Sequence, residues 1–170
     1  MTKLKVYHVA GVLAGLLGLT DVDACHAAIR YVHATNATPQ FPYTTPNTAA
    51  QRIQDAVNAS GMGDVIRVGA GVYSNGGTAV AGQILPNRVW IVKPITVESV
   101  EGALATRIVG CTNAASPMRC AYVANGAVLR GFTLAQGATQ AGQGMWNADS
   151  SGGGAFVDAG AQLLDCIVTG

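Results

Sequence analysis

Two stretches of this chain repeat each other 34 residues apart. Ala121-Tyr-Val-Ala-Asn-Gly-Ala-Val-Leu-Arg-Gly-Phe-Thr-Leu134 aligns with Ala155-Phe-Val-Asp-Ala-Gly-Ala-Gln-Leu-Leu-Asp-Cys-Ile-Val168. Ala121, Val123, Gly126, Ala127 and Leu129 meet identical residues in the second copy, and Tyr122, Phe132 and Leu134 meet Phe156, Cys166 and Val168, all apolar. Stacked coils produce this pattern, because each coil sets the same side chain above its predecessor and one continuous core is buried by stacking. Lys93-Pro-Ile-Thr-Val-Glu-Ser-Val100 is a weaker echo of the same unit.

The remaining strands agree. Val65-Ile-Arg-Val68, Val89-Trp-Ile-Val92, Ile95 to Val100 and Arg107-Ile-Val-Gly110 are short apolar runs separated by turn residues. A doubly wound sheet is excluded, since it needs crossover helices between strands. A sandwich of hairpins and a parallel solenoid remain, and the repeat selects the solenoid. Alternation places Phe132, Leu134, Cys166 and Val168 inward, with Thr133 and Ile167 outward. Gly131 and Asp165 share one bend, where Gly or Asp tolerates left-handed dihedrals, so Asp165 has a structural explanation before any chemical one. Gln136 to Gly154 holds six Gly and reads as an excursion loop.

Composition narrows the partners. Charged residues are 11% of the chain, against about 25% in an ordinary domain, too few to coat a helical bundle. A hydrophobic content of 49% at net charge +1 favours collapse over disorder. That charge leaves no electrostatic case for a nucleic-acid partner.

The first 27 residues read as a signal peptide. A basic start, Met1 to Lys5, precedes an apolar run from Val6 to Leu19, and Cys25 and Ala27 are the small residues a signal peptidase reads. The run is too short to span a bilayer, so no transmembrane span is expected and the product is secreted or placed at the cell surface. Val22-Asp-Ala-Cys25 loosely resembles a lipoprotein box, which Asp23 fits poorly. Residues 28–63 comprise a strand, Ile29 to Ala34, a proline-bearing loop, Thr35 to Asn47, and a short capping helix. Asn47 or Thr48 opens that helix as N-cap, Ala49, Ile53, Ala56, Val57 and Ser60 form its apolar stripe, and Gly61 and Gly63 end it. Residues 64–170 are the first coils. Beyond residue 27 the one histidine is His33, read as a surface residue on an edge strand.

Arg30-Tyr-Val32, Ala50-Gln-Arg-Ile-Gln-Asp-Ala-Val57 and Gly63-Asp-Val-Ile-Arg-Val-Gly-Ala-Gly-Val-Tyr73 together resemble the opening of exported right-handed parallel β-helix proteins, the pectate-lyase-like superfamily. Gly126 to Leu134, Ser151 to Phe156 and Leu164 to Val168 are similar to its repeating coils, so the resemblance covers about residues 29 to 170. It implies a right-handed β-helix whose first coil is capped by the short helix. The superfamily holds polysaccharide lyases, hydrolases and surface proteins without known chemistry. Its solenoids are usually longer, and this chain stops directly after a strand. The expectation is therefore the N-terminal portion of a longer protein.

A lyase of this kind uses Arg or Lys as base and Ca²⁺ held by several carboxylates on neighbouring coils. Asp158 and Asp165 lie in one coil, but Ala124 and Gly131 occupy their places in the other copy, so no carboxylate ladder forms. No cofactor is expected, and Ca²⁺ only if the chain is a lyase. Glu98 and Glu101 are close, yet a strand end and a Glu-Gly turn account for them as solvated. Trp146 in the glycine-rich excursion offers a ring face to a sugar, unless it packs the loop against the coils. Arg119 and Arg130 are either contacts for an acidic sugar or outward residues beside turns. Cys111 and Cys120 enclose an eight-residue loop suited to a disulfide in an oxidising compartment, the alternative being two free thiols in the core; Cys166 is inward and inert. The expected function is binding of polysaccharide or cell-surface glycan with no catalytic site in these residues. The alternatives are the N-terminal part of a polysaccharide lyase or glycoside hydrolase, and a structural adhesin-like module.

Overall fold

The computed structural model describes residues 27–142 and 147–170; the expected signal peptide lies, but for Ala27, outside the described residues. In chain order the elements are β1 (Ile29–Val32), α1 (Ile53–Ala59), β2 (Val65–Val68), β3 (Gly71–Tyr73), β4 (Thr78–Ala79), β5 (Pro86–Ile91), β6 (Thr96–Ser99), β7 (Thr106–Val109), β8 (Arg119–Val123), β9 (Val128–Arg130), β10 (Thr133–Ala135), β11 (Ala155–Val157), β12 (Gln162–Leu164) and β13 (Ile167–Thr169). They form three sheets, ordered β1-β2-β6-β9-β12, β3-β7-β10-β13 and β4-β5-β8-β11. From β2 onward the chain visits the first, second and third sheets in turn, giving a parallel β-solenoid of about four turns.

The repeat is the coil. Ala121 pairs with Ala155, Leu129 with Leu163 and Leu134 with Val168, so all three sheets hold the 34-residue register. Like side chains therefore stack. Ile66, Val97, Leu129 and Leu163 form one ladder of the first sheet, and Tyr73, Ile108, Leu134 and Val168 one ladder of the second. Ile66, Val97, Ile108, Leu129, Phe132 and Leu134 are fully buried in a single core. On the outer side of the first sheet, Arg67 pairs with Glu98 at 3.4 Å and Arg130 with Asp165 at 3.3 Å. Such exposed pairs contribute about 0–1 kcal/mol each.

Gly131 and Asp165 share their bend as expected, at φ 77° and 52°. Four expectations are corrected. Thr133 is buried, because residues 102–105 fold over it and Ala103 O accepts its hydroxyl at 2.7 Å. Val168, though in register with Leu134, is 56% exposed, since β13 is the edge of its sheet. The helix starts later than Asn47 or Thr48: Pro46–Thr48 is a 3-10 turn capped by Thr45, and α1 begins at Ile53. Ala50 explains the delay. Its N–H donates to Tyr31 O at 2.9 Å and its carbonyl accepts from His33 N at 2.8 Å, which holds it extended beside β1. The helix ends on an extended Ser60 rather than on a left-handed glycine.

The helix covers one rim of the column. Its Gln54 side chain imitates a strand, accepting from Trp90 N at 2.8 Å and donating to Trp90 O at 3.2 Å, while β4 pairs antiparallel with the start of β5. Exposed strand edges template unwanted pairing, and these contacts block one. Lys93 Nζ donates to Val57 O and Ser60 O at 3.0 and 2.7 Å, satisfying carbonyls at the helix C-terminus.

Asp64 ties the first strand to the column. Its carboxylate accepts from Ala28 N at 2.8 Å, Gly61 N at 2.9 Å and Arg30 Nη2 at 3.0 Å. Burial pushes the carboxyl upward, but the two amides and the guanidinium together hold it below its ordinary value. A depressed folded-state pKa contributes stability above the unfolded value, about 4, and that stability is lost as pH falls through the folded value. Urea midpoints of the wild type are expected to fall over that acid range, and Asp64→Asn to flatten the slope; equal slopes would remove Asp64 from the acid response.

Candidate functional site

From β2 onward, the three long connections all leave the column at one corner, between the second and third sheets: residues 74–85, 110–118 and 136–154. The other corners are crossed in six residues or fewer. At the crowded corner backbone packs on backbone, and a Cβ on Gly137 would run into the Gly153 carbonyl.

Beside this corner lies a groove of about 200 Å³ between α1, the end of β3 and β5. Gln51 to Gln54 form one wall, Val72 to Asn75 the other, and Arg88 and Val89 the floor. Past Arg52, Gln54, Asn75 and Arg88 it opens into a second segment of about 170 Å³ bounded by Asp55, Asn58 and the Gly76-Gly77-Thr78 turn. The turn depends on glycine: Gly76 sits at φ 80°, and the Arg52 side chain lies 3.4 Å from where a Cβ would stand.

Two cations face the groove. Arg52 makes a bidentate pair with Asp55, at 2.9 and 2.8 Å, which raises its pKa, and its side chain remains 54% exposed. Arg88 is anchored by carbonyls instead. Its Nε donates to Val109 O at 2.7 Å, Nη1 to Gly76 O and Nη2 to Gly110 O at 3.4 Å. Those three bonds leave two of the five guanidinium N–H groups for a ligand. Burial lowers the Arg88 pKa, without discharging a group whose ordinary value is so high. Tyr73 lines the groove with its hydroxyl donated to Gly69 O at 2.8 Å; burial, assisted by Glu101, pushes it up to about 12. With Arg52, Arg88 and Asp55 the groove carries one net positive charge.

The residues singled out from sequence stand elsewhere. Trp146 lies outside the described residues. Arg119 is fully buried, contrary to an outward position beside a turn. It donates to Asn87 Oδ1 at 2.8 Å, Gly152 O at 3.0 Å, Ser151 O at 2.7 Å and Ala148 O, and its guanidinium lies 5.2 Å from the Phe156 ring centroid and 5.9 Å from that of Tyr122. Those two rings stack at 5.2 Å. Arg119 thus fastens the excursion loop to the column, and Asp149 completes the fastening by accepting from Leu85 N at 2.9 Å. Arg130 is outward, paired with Asp165. Cys111 and Cys120 are separate thiols, Cys120 buried and donating to Ala135 O at 3.1 Å. Burial pushes the thiols of Cys120 and Cys166 up. Among the described residues, no group of three or more His, Cys, Asp or Glu is arranged to hold a metal ion.

Arg52, Asp55, Asn58, Asn75 and Arg88 were not signalled as a site by the sequence. Three of them form the polar face of a short helix, which any solvated helix shows, and only the folding of the first coil brings Asn75 and Arg88 beside them. Compared with known proteins, the chain matches no family model, no curated protein and no solved structure. What is shown is the class: a parallel β-solenoid with one short helix near its N-terminus.

Proposed function

We propose that this chain is an exported, right-handed β-helix of the pectate-lyase-like kind that binds acidic polysaccharide in the groove beside α1. The observation that carries the reading is the pair Arg52 and Arg88, two guanidinium groups facing one elongated cleft with a single carboxylate among them. A guanidinium suits a uronate carboxylate, because its N–H groups match two carboxylate oxygens at once. Asn58 and Asn75 add amides that donate to and accept from sugar hydroxyls. Among the described residues no helix is long and apolar enough to cross a membrane.

Affinity electrophoresis of the secreted protein in polygalacturonate and in dextran tests this. Retardation in the acidic gel alone, weakened by salt, is the expected result, and Arg52→Ala is expected to weaken binding about fivefold or more, in the range of a lost charge-assisted hydrogen bond. Its fold should persist, because an exposed pair contributes little. Equal behaviour in the two gels would refute the reading. An unsaturated, chelator-sensitive product in the acidic gel would instead favour a lyase. The same secreted material reports export and thiol state: a mature N-terminus at Ala28 is expected, and a Cys111–Cys120 disulfide would leave both thiols unalkylated until reduction.

A further inference from the structure

The groove does not stop at α1. Its second segment shares Asp55 and Asn58 with a third cavity, of about 280 Å³, on the far side of those two residues. Phe41 and Tyr43 line that cavity. Phe41 is 74% exposed, so its ring face stands open to solvent. The two rings meet edge to face at 6.0 Å and 78°, and Tyr43 itself packs on the core with its backbone at φ 67°, a conformation uncommon outside glycine.

We propose that this third cavity is a second sugar subsite, in which Phe41 stacks on a neutral pyranose next to the acidic residue held by Arg52 and Arg88. The proposal rests on the polysaccharide reading and adds the composition of the ligand. The C–H face of a pyranose is apolar and flat enough to lie on an exposed ring, while hydroxyls at its rim need donors and acceptors. Asn58 and Asp55 supply both beside Phe41. The residues lining this cavity include no cation, and their one carboxylate, Asp55, is already paired with Arg52, so nothing there attracts a second uronate. The preferred ligand is therefore a polymer that alternates acidic and neutral sugars, rather than a homopolyuronate.

Titration calorimetry of the secreted protein with hyaluronan, an alternating uronate and neutral sugar polymer, and with polygalacturonate decides the matter. Hyaluronan is expected to bind about tenfold more tightly per site. Phe41→Ala is expected to abolish that preference while leaving polygalacturonate binding within twofold, and Phe41→Trp to keep it. Phe41 is exposed, so neither change should disturb folding, and unchanged urea midpoints would confirm this. If both polymers bind equally and Phe41→Ala changes neither, the second subsite is overturned while the groove reading stands. If the wild type binds neither polymer, the groove reading falls and takes the subsite with it.

Discussion

Arg119→Ala is expected to lower the free energy of unfolding by about 3–5 kcal/mol, the range reserved for breaking a buried network. The side chain is wholly buried and gives four hydrogen bonds, three of them to carbonyls of the loop that precedes β11. Alanine leaves those acceptors without a donor, and each buried unsatisfied group costs about 1–3 kcal/mol before water enters. The rings of Tyr122 and Phe156 lose their cation as well. Arg119→Lys keeps the charge but cannot span four acceptors, so an intermediate loss is expected. Urea midpoints give the magnitude, and limited proteolysis within residues 136–154 shows where the structure loosens. A loss below about 1 kcal/mol, with the loop still protected, would mean that the loop is held without Arg119.

Leu129→Ala is expected to cost about 2–5 kcal/mol, the range for a leucine removed from a core that cannot collapse onto the gap. Leu129 is fully buried, with Val97 on one side of it in the ladder and Leu163 on the other. Leu163 holds the same place one coil on but is only partly buried, in the edge strand β12. Leu163→Ala should therefore cost about half as much or less, because part of its surface never leaves water. Equal losses at the two positions would show that the coils are not stacked in this register.

The column was legible in the sequence because a parallel ladder requires like above like. Ala121 over Ala155, Leu129 over Leu163 and Gly131 over Asp165 can be found by sliding the chain along itself, and each became a register pair or a shared bend. What escaped follows no period. Arg119 reads as a surface cation since its acceptors are carbonyls about 30 residues away, and carbonyls leave no trace in a sequence. The helix start escaped because Ala50 is claimed by β1, a tertiary preference that overrides local helical spacing. The groove escaped because Phe41, Asp55, Asn75 and Arg88 belong to four segments with different local rules. Turn, helix and strand signals describe each of them separately and none describes their meeting.

The crowding of the long connections between successive coils at a single corner separates two kinds of inheritance in this molecule. Successive coils advance by 31, 32 and 34 residues at the Ile66, Val97, Leu129 and Leu163 ladder, yet that ladder stays in step. The differences in length are absorbed between strands, where doubling a flexible connection costs only about 0.6 kcal/mol. The corner between the third and first sheets takes four residues in every coil and the one between the first and second takes two to six, while the remaining vertex runs from nine residues to nineteen. A lineage could remodel what that vertex presents to its surroundings without re-solving the packing of the prism.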